Sequence, residues 1–386
     1  MTMTTTATTT TRIAIIGAGL SGLYAACLLE QQGITDYVLL EARDSLGGRM
    51  VSAAASPAHS NRTDRVDLGP TWFWPGYQHE LGELVEALGL ASFAQHEAGD
   101  MVVQRSLQEA PMRVPGYANS PPSMRLVGGM GALVDALHQR LDNTRIHTGQ
   151  VVRRLRRAGD GPAQQVELDS DNASGHTTTW RADHVLLALP PRLLECSITF
   201  EPPLPPALAQ QWRATATWMA PHAKYVATYD TAFWREQGLS GEARSGFGPL
   251  GEIHDASMPG GSAALFGFFN VPDGVRQSVP EEVLLKHCRA QLVRLFGSQA
   301  GAPQAEFIKD WALELYTTTA ADRGGAGEHA SAPATAAATG PWSGHLTGIA
   351  SEWSPQFPGY VAGAIEAAGL GVGAWLASAA PITHQN

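Results

Sequence analysis

The feature that most constrains the fold is a glycine turn between an apolar strand and a helix near the start of the chain. The run Ile13–Ile16 predicts a buried parallel strand, and residues 20–32 predict a helix that Gly33 ends. Between them lies Gly17-Ala18-Gly19-Leu20-Ser21-Gly22, with the spacing G-x-G-x-x-G. The first glycine permits a tight turn, the second admits a pyrophosphate close to the backbone, and the third lets helix and strand pack closely.

A second apolar run, Tyr37–Leu40, ends at Glu41, which lies 24 residues after Gly17. Strand, turn, helix and strand make one βαβ unit, and the free N–H groups of the helix N-terminus bind an anion. A carboxylate at this position accepts hydrogen bonds from the ribose hydroxyls of an adenosine. The alternative is an ordinary turn with an exposed glutamate. The combined context favours a Rossmann-like α/β domain that binds a dinucleotide.

Composition excludes several classes of function. Lys plus Arg number 26 and Asp plus Glu 36, so the net charge of −10 argues against binding nucleic acid by bulk charge. Cys27, Cys196 and Cys288 lie far apart, and the 13 histidines show no ligand spacing, so neither disulfides nor a metal site is predicted. Residues 1–10 predict a disordered tail without the apolar core of a signal peptide. No apolar run reaches the ~18 residues of a membrane span, and a cytoplasmic location is expected.

Further motifs extend the dinucleotide site. Glu41 is followed by Arg43 and then by Gly47-Gly48-Arg49, a second glycine pair that suits a dinucleotide buried along its length. Later segments include Asp67-Leu68-Gly69-Pro70-Thr71-Trp72, the turn Gly128–Gly131, and Gly359-Tyr360-Val361 shortly after Glu352. On these segments the sequence resembles the flavin-containing amine oxidase family.

The resemblance implies FAD as the cofactor and assigns roles to particular residues. Lys224 stands where the family has a lysine water-bridged to flavin N5, and Tyr360 stands against the flavin face; the alternative for Lys224 is a strand lysine that points to solvent. The remaining residues implied to bind FAD are Gly17, Gly19, Ser21, Gly22, Glu41, Arg43, Gly48, Arg49, Gly69, Pro70, Thr71, Trp72, Val152, Glu352 and Val361. The implied substrate pocket is formed by Trp72, Trp311, Tyr316, Trp353 and Tyr360, although such aromatic residues are more often core than site.

The resemblance also implies a two-domain α/β fold. The Rossmann-like FAD-binding domain would be discontinuous, over residues 11–77, 125–199 and 312–380. An α+β substrate domain with a mixed sheet would take residues 78–124 and 200–311.

The sequence departs from the family pattern in four places. Ala320 stands where monoamine oxidases attach FAD to a cysteine, so the flavin is expected to be non-covalent. Ala321 replaces the second aromatic residue of the substrate cage, so the cage is half missing or its other wall comes from elsewhere. Only about 47 residues separate the first FAD segment from the turn at Gly128, which predicts a more open pocket. The family's F-A-G-T-E reads Gly348-Ile349-Ala350-Ser351-Glu352, with the acid kept.

The resemblance implies oxidation of an amine C–N bond to an imine, with oxygen or another acceptor taking the electrons. An L-amino acid oxidase is the nearest alternative, and it needs a cation to clamp the carboxylate. Arg113 could serve if it faced the pocket, but the usual exposure of arginine favours a surface strand residue. A desaturase or porphyrinogen-type oxidase would need a membrane-facing apolar patch, which the sequence does not show. An FAD-binding scaffold without turnover is the alternative from another class. The amine and the assembly stay open, with a homodimer among the alternatives.

Overall fold

The structure is a computed structural model that describes residues 8–56, 62–158, 165–324 and 329–379. The strands of the described residues are β1 (Thr8–Ile16), β2 (Tyr37–Leu40), β3 (Ser52–Ala54), β4 (Arg65–Asp67), β5 (Ser92–Ala94), β6 (Asp100–Gln104), β7 (Met112–Pro115), β8 (Met124–Leu126), β9 (Ile146–His147), β10 (Val151–Ala158), β11 (Gln165–Asp171), β12 (Thr177–Leu187), β13 (Thr199–Glu201), β14 (Ala223–Tyr229), β15 (Leu239–Ser245), β16 (Leu250–Asp255), β17 (Ala263–Phe269), β18 (Ala305–Asp310) and β19 (Leu346–Gly348).

The helices of the same residues connect these strands. The α-helices are α1 (Leu20–Gln31), α2 (His79–Ala87), α3 (Gly131–His138), α4 (Pro191–Ser197), α5 (Pro206–Ala214), α6 (Phe233–Glu236), α7 (Asp273–Gln277), α8 (Glu281–Phe296), α9 (Ala320–Arg323) and α10 (Val361–Ala379). Short 3₁₀ helices span Asn143–Arg145, Ser298–Gly301, Trp311–Leu313 and Ser351–Trp353.

The predicted strand, glycine turn, helix and strand are confirmed in β1, α1 and β2. The strand begins earlier than expected, because Thr8 already pairs with Thr179 of β12. The prediction that the disordered tail extends to residue 10 is therefore wrong for residues 8–10, while residues 1–7 lie outside the described residues. Gly17 has φ +101°, and a Cβ on Gly22 would lie 1.9 Å from the Gly17 carbonyl oxygen. The helix can pack this close to the turn only because position 22 is glycine.

The first sheet has the order β13-β10-β11-β12-β1-β2-β9, with β19 also paired to β12. β1 runs parallel to both of its neighbours, β12 and β2. Ile13 and Ile15 join the core that contains α1, whereas Ala14 and Ile16 join the core on the other side of the sheet. Because alternate residues of a strand face opposite sides, burial on both faces requires the uninterrupted apolar run of β1.

The second sheet has the order β18-β14-β17-β16-β15-β6-β7 and is mixed, because β15 and β6 are parallel and its other pairs are antiparallel. Tyr225 and Leu265 pack on one face in the core that includes residues of α8. Val226 and Phe266 pack on the other face with Val66 from β4. The second sheet thus presents its β14–β17 face to the segment that carries the 67–72 motif.

The last helix, α10, packs along α1. Its window Val361–Ser378 has a mean hydropathy of 1.4, and 56% of that window is buried inside the protein. By length and composition alone this one helix among the described residues could cross a bilayer, so the expectation that no segment is apolar enough is wrong. Ala362, Ile365 and Ala368 belong to the core around α1, so these apolar residues of the helix are packed inside the protein.

Candidate functional site

A cavity of about 730 Å³ lies where the carboxyl ends of β1, β2 and β12 meet the beginning of β14. Ligands of open α/β sheets bind at such carboxyl ends. The predicted site residues found in its lining are Gly17, Gly19, Ser21, Glu41, Arg43, Gly48, Arg49, Gly69, Pro70, Thr71, Trp72, Val152, Lys224, Trp311, Tyr316, Tyr360 and Val361. The topology therefore brings residues from both ends of the chain to one cavity.

Two glycine turns form the floor at one end of the cavity. The Gly47 N–H donates to the Ala18 carbonyl at 2.8 Å, which joins the second glycine pair to the first turn. A Cβ on Gly48 would lie 3.2 Å from the Cα of Gly19, whereas a Cβ on Gly19 would meet nothing within 4 Å. The N-terminus of α1 begins at this floor, and its first N–H groups have no partner within the helix. This end of the cavity fits a pyrophosphate.

Glu41 stands next to this floor at the end of β2 and is 4% exposed. Its carboxylate accepts hydrogen bonds from the N–H groups of Ala18 at 2.7 Å and Arg43 at 2.9 Å. The Arg43 guanidinium donates to Glu314 and Thr317, and it lies 5.6 Å from the ring of Tyr316. Each carboxylate oxygen can accept a further bond, so Glu41 fits a ribose diol at the cavity surface.

Arg49 ties the second glycine pair to the last part of the chain. Its guanidinium forms a fork with the Glu352 carboxylate at 2.6 and 3.1 Å and also donates to the Ser351 hydroxyl at 3.0 Å. Glu352 is 3% exposed and is absent from the cavity lining, whereas Arg49 and Ser351 are part of it. The acid therefore lies one layer behind the surface that a cofactor would contact.

Lys224 projects from β14 into the wall of the cavity and is 2% exposed. Its ammonium donates to the Thr71 hydroxyl at 2.6 Å and to the Gly69 carbonyl at 3.1 Å. Its Nζ also lies 4.1 Å from the centre of the Phe266 ring, a cation–π contact. Burial lowers the pKa of Lys224 to about 7, although Asp67 opposes this shift. The alternative of a solvent-facing strand lysine is wrong.

Aromatic side chains surround Tyr360 at the cavity wall. Its ring contacts Trp218 at 5.0 Å, the His329 ring at 4.9 Å in a stacked arrangement, and Trp74 at 6.4 Å. Trp72 lines the same cavity, and its indole N–H donates to Gln95 at 2.8 Å. This wall suits an apolar or aromatic group, because aromatic rings offer large apolar faces.

Two sequence-based expectations about individual residues are wrong. Trp353 does not line the cavity: it is 2% exposed, packs on Trp212 at 5.6 Å, and donates its N–H to the Ala334 carbonyl. Ala321 lies exposed on α9 and outside the lining, so an aromatic residue at position 321 would not face this cavity. Arg113, by contrast, is the surface strand residue that the sequence favoured: 52% of its side chain is exposed, it pairs with Asp100, and it does not line the cavity.

The loop Trp218–His222 was missed by the sequence reasoning, although Trp218, Met219 and His222 all line the cavity. Met219 has φ +63°, which is unusual for a residue other than glycine. Burial and the nearby Arg276 lower the pKa of His222. Nothing in the local sequence marks this loop, because a short loop without glycine punctuation or periodic apolar residues carries no pattern. Trp218 provides an aromatic contact to Tyr360, whereas the family pattern has its second cage residue at position 321.

Two family models and several curated proteins match this chain. A model of the "Flavin containing amine oxidoreductase" family matches residues 104–370, and one of the "NAD(P)-binding Rossmann-like domain" matches residues 15–88. Putrescine oxidase from Kocuria rosea is 30% identical over 205 residues, which cover 50% of this chain and 41% of that protein. The probable flavin-containing monoamine oxidase A of Dictyostelium discoideum is 28% identical over 255 residues, which cover 63% and 51%. The chain thus spans about half the length of the curated relatives it matches.

Solved structures have the same fold. Putrescine oxidase bound to putrescine superposes with a TM-score of 0.74 at 19% identity, covering 96% of this chain and 100% of that chain. Cyclohexylamine oxidase from Brevibacterium oxydans has a TM-score of 0.75 at 19% identity, covering 95% and 99%. At this identity the likeness concerns the fold.

Proposed function

This chain belongs to the family of flavin-containing amine oxidoreductases, and on that premise we propose that it is an enzyme that oxidises an amine C–N bond. FAD, when bound, supplies the two-electron acceptor of this chemistry. The amine loses two electrons and two protons to become an imine, and water then hydrolyses the imine to an aldehyde or ketone plus an amine or ammonia. Oxygen or another acceptor takes up the electrons.

The observation that carries the proposal is the buried Lys224 ammonium in the wall of the cavity that Tyr360 also lines. Burying an ammonium is unfavourable unless it is bonded, and among the described residues two of its N–H groups have hydrogen-bond partners, Gly69 and Thr71. A scaffold that merely holds FAD gains nothing from such a group. An oxidase gains a positive charge that stabilises negative charge developing nearby during the reaction.

We assign the FAD contacts to the residues that line the cavity. The glycine turns and the α1 N-terminus would hold the pyrophosphate, Glu41 the ribose hydroxyls, and Val152 the adenine. Glu352 would act indirectly by fixing Arg49. Non-covalent binding is supported by the three cysteines, because Cys27 and Cys288 are buried and none of the three lines the cavity.

The division into two domains is also part of the proposal. The first sheet takes strands from the predicted FAD segments, with β13 extending to Glu201, and the second takes strands from the predicted substrate segments. A cytoplasmic location is supported by the absence of disulfides among the described cysteines, Cys27, Cys196 and Cys288.

We further propose that the substrate is a monoamine with an apolar or aromatic body. Trp72, Trp74, Trp218 and Tyr360 offer apolar faces to it. Glu41, held next to the glycine floor, is the one carboxylate among the described lining residues, so a second ammonium would find no partner at the aromatic wall. The lining arginines Arg43, Arg49 and Arg153 are paired with Glu314, Glu352 and Asp171 respectively, which disfavours an amino acid substrate.

The test compares phenylethylamine, putrescine and phenylalanine as substrates of the wild type and of the variant Lys224→Met. We expect the wild type to turn over phenylethylamine with a kcat/KM at least tenfold above that for either other compound. The variant should keep FAD but lose reoxidation by oxygen by about 10²-fold or more, as when one electrostatic group is removed from an active site. Equal activity of the variant would refute the role of Lys224. A preference for putrescine would refute the substrate class, and FAD that no amine in a broad panel reduces would favour the scaffold.

A further inference from the structure

Behind the cavity wall lie three buried charged side chains from three separate strands: Asp67 at the end of β4, Arg125 in β8 and Lys224 in β14. They are 4%, 1% and 2% exposed. Asp67 and Lys224 are connected through the backbone of one short loop, because Lys224 donates to Gly69 and Thr71 just after Asp67. The cluster therefore lies directly behind the segment that lines the cavity.

The three groups are not joined by a direct ion pair. The Asp67 Oδ1 accepts hydrogen bonds from the Ser52 hydroxyl at 2.6 Å and from the Met130 N–H at 2.7 Å, while its Oδ2 has no hydrogen-bond partner among the described residues. The Arg125 guanidinium donates to the carbonyls of Ser257 and Ala256 at 3.1 and 2.9 Å. Its Nε has no hydrogen-bond partner among the residues that the structure describes. Each charge therefore acts on the others through space, in a region where water does not screen it.

The charges around Lys224 act in opposite directions. Asp67 favours the charged ammonium, whereas burial and Arg125 favour the neutral amine. Burial also raises the pKa of the Asp67 carboxyl, an effect that Lys224, the Ser52 hydroxyl, Arg125 and the Met130 N–H oppose. Lys309 stands opposite Lys224 on β18, but it is paired with Glu314. On the remaining sides, His222 lies in the loop just before β14, and the His254 ring of β16 lies 5.3 Å from the Phe266 ring. Asp67 is thus the carboxylate that opposes the loss of the Lys224 proton.

We propose that Asp67, buried at the start of the loop to which the Lys224 ammonium is bonded, is a positioning residue that keeps this ammonium charged beside the cavity. The functional meaning of this charge rests on the proposed amine oxidation, but the charge itself can be measured without turnover. Asp67 also holds the Met130 N–H, and so it fixes the 67–71 loop to the turn at Gly128–Gly131. One carboxylate thus sets both the charge and the place of the group that faces the cavity.

The sequence makes this charge directly measurable, because it holds only three lysines, Lys224, Lys286 and Lys309. With ¹³Cε-labelled lysine, the FAD-loaded protein gives three resonances whose shifts follow protonation. Lys286→Arg and Lys309→Arg assign two of them and leave Lys224 as the third. We expect Lys224 to titrate with a midpoint near 7, well below the 10.5 of a free lysine.

The variant Asp67→Asn keeps an oxygen that can accept from Ser52 and Met130 but removes the charge. It should lower the Lys224 midpoint by about 1–3 pH units, the usual effect of one nearby opposite charge. Arg125→Gln should shift the same midpoint in the opposite direction, upward. A merely structural loss would not move the midpoint in opposite directions in the two variants.

The matched control is Asp64→Asn, which removes a buried carboxylate three residues earlier that bonds to Ser262 instead. It should leave the Lys224 titration unchanged. An unchanged midpoint in Asp67→Asn would overturn the proposal, since it would mean that Asp67 is itself neutral in the native protein. A downward shift in Arg125→Gln would overturn it as well, and this second variant is informative even if the first does not fold.

Discussion

The fork between Arg49 and Glu352 joins residues 303 positions apart in sequence, and its two halves should contribute unequally to stability. Arg49→Met would leave the Glu352 carboxylate, 3% exposed, with the Ser351 hydroxyl as its one side-chain partner in the described part of the chain. An uncompensated buried charge of this kind costs about 3–5 kcal/mol. Glu352→Gln would leave Arg49, whose side chain is 28% exposed and can hydrate at the cavity, so we expect about 1–3 kcal/mol.

The assay is urea unfolding of the two single variants and the double variant, each with and without added FAD, because cofactor binding adds its own stabilisation. The loss of unfolding free energy in the double variant should be smaller than the sum of the losses in the two single variants by more than about 0.5 kcal/mol, because the double variant has no buried unpaired charge. Arg113→Met, which breaks the exposed pair with Asp100, serves as a control and should cost about 0–1 kcal/mol. Additive effects, or a larger cost for Glu352→Gln than for Arg49→Met, would refute the reasoning.

Further predictions test the site and the packing around it. Trp353→Ala truncates a core residue and should lower the free energy of unfolding by about 3–5 kcal/mol. Trp353→Phe should leave the KM for the amine unchanged, whereas Trp72→Ala should raise it. A raised KM in Trp353→Phe would show that Trp353 does line the pocket. Gly22→Ala should weaken FAD binding at least tenfold in an equilibrium titration, because its Cβ would lie 1.9 Å from the Gly17 carbonyl oxygen. The control Gly373→Ala, whose Cβ would meet nothing within 4 Å, should bind FAD normally. The pKa of Lys224 falls from 10.5 unfolded to about 7 folded, so between these values the unfolded chain holds the extra proton and stability should rise with pH. The free energy of unfolding of FAD-free protein, compared with that of Lys224→Met, should show this rise only in the wild type, and equal slopes would contradict the shift.

The part of the fold that the sequence predicts well is local. The run Ile13–Ile16, the glycine turn and the run Tyr37–Leu40 each carry a steric or apolar requirement that only one local structure meets, and the structure has them as predicted. The helix Glu281–Phe296 likewise has local signals at both ends, with Pro280 before it and Gly297 after it. Such elements need no information about the rest of the chain.

The residues that failed depend on long-range packing. Trp353 was expected in the pocket as one of its aromatic walls, and it follows Glu352 directly. In the short helix Ser351–Trp353, however, neighbouring side chains diverge, and the tryptophan packs in the core. The resemblance places an aromatic residue of the substrate cage at position 321. Sequence spacing carries no information about the path of this loop, however, and Ala321 lies exposed on α9.

The contact between Tyr360 and Trp218 is a second feature that the sequence could not predict. Trp218 lies 142 residues earlier in sequence, and it reaches Tyr360 through a loop with an unusual backbone at Met219. The Thr217 N–H donates to Asp322, whose carboxylate also pairs with Arg192, so tertiary contacts position this loop. No local pattern encodes that arrangement.

The most direct test of the account is the visible spectrum of the purified protein before and after anaerobic addition of phenylethylamine. The account predicts a yellow protein that releases all of its FAD on acid denaturation, because no cysteine reaches the cavity. The amine should bleach the flavin band at about 450 nm within the dead time of manual mixing, because the cofactor carries the chemistry. Admitting air should then restore the band. A protein that stays colourless after FAD is added back, or a flavin that no amine reduces, would contradict the central claim.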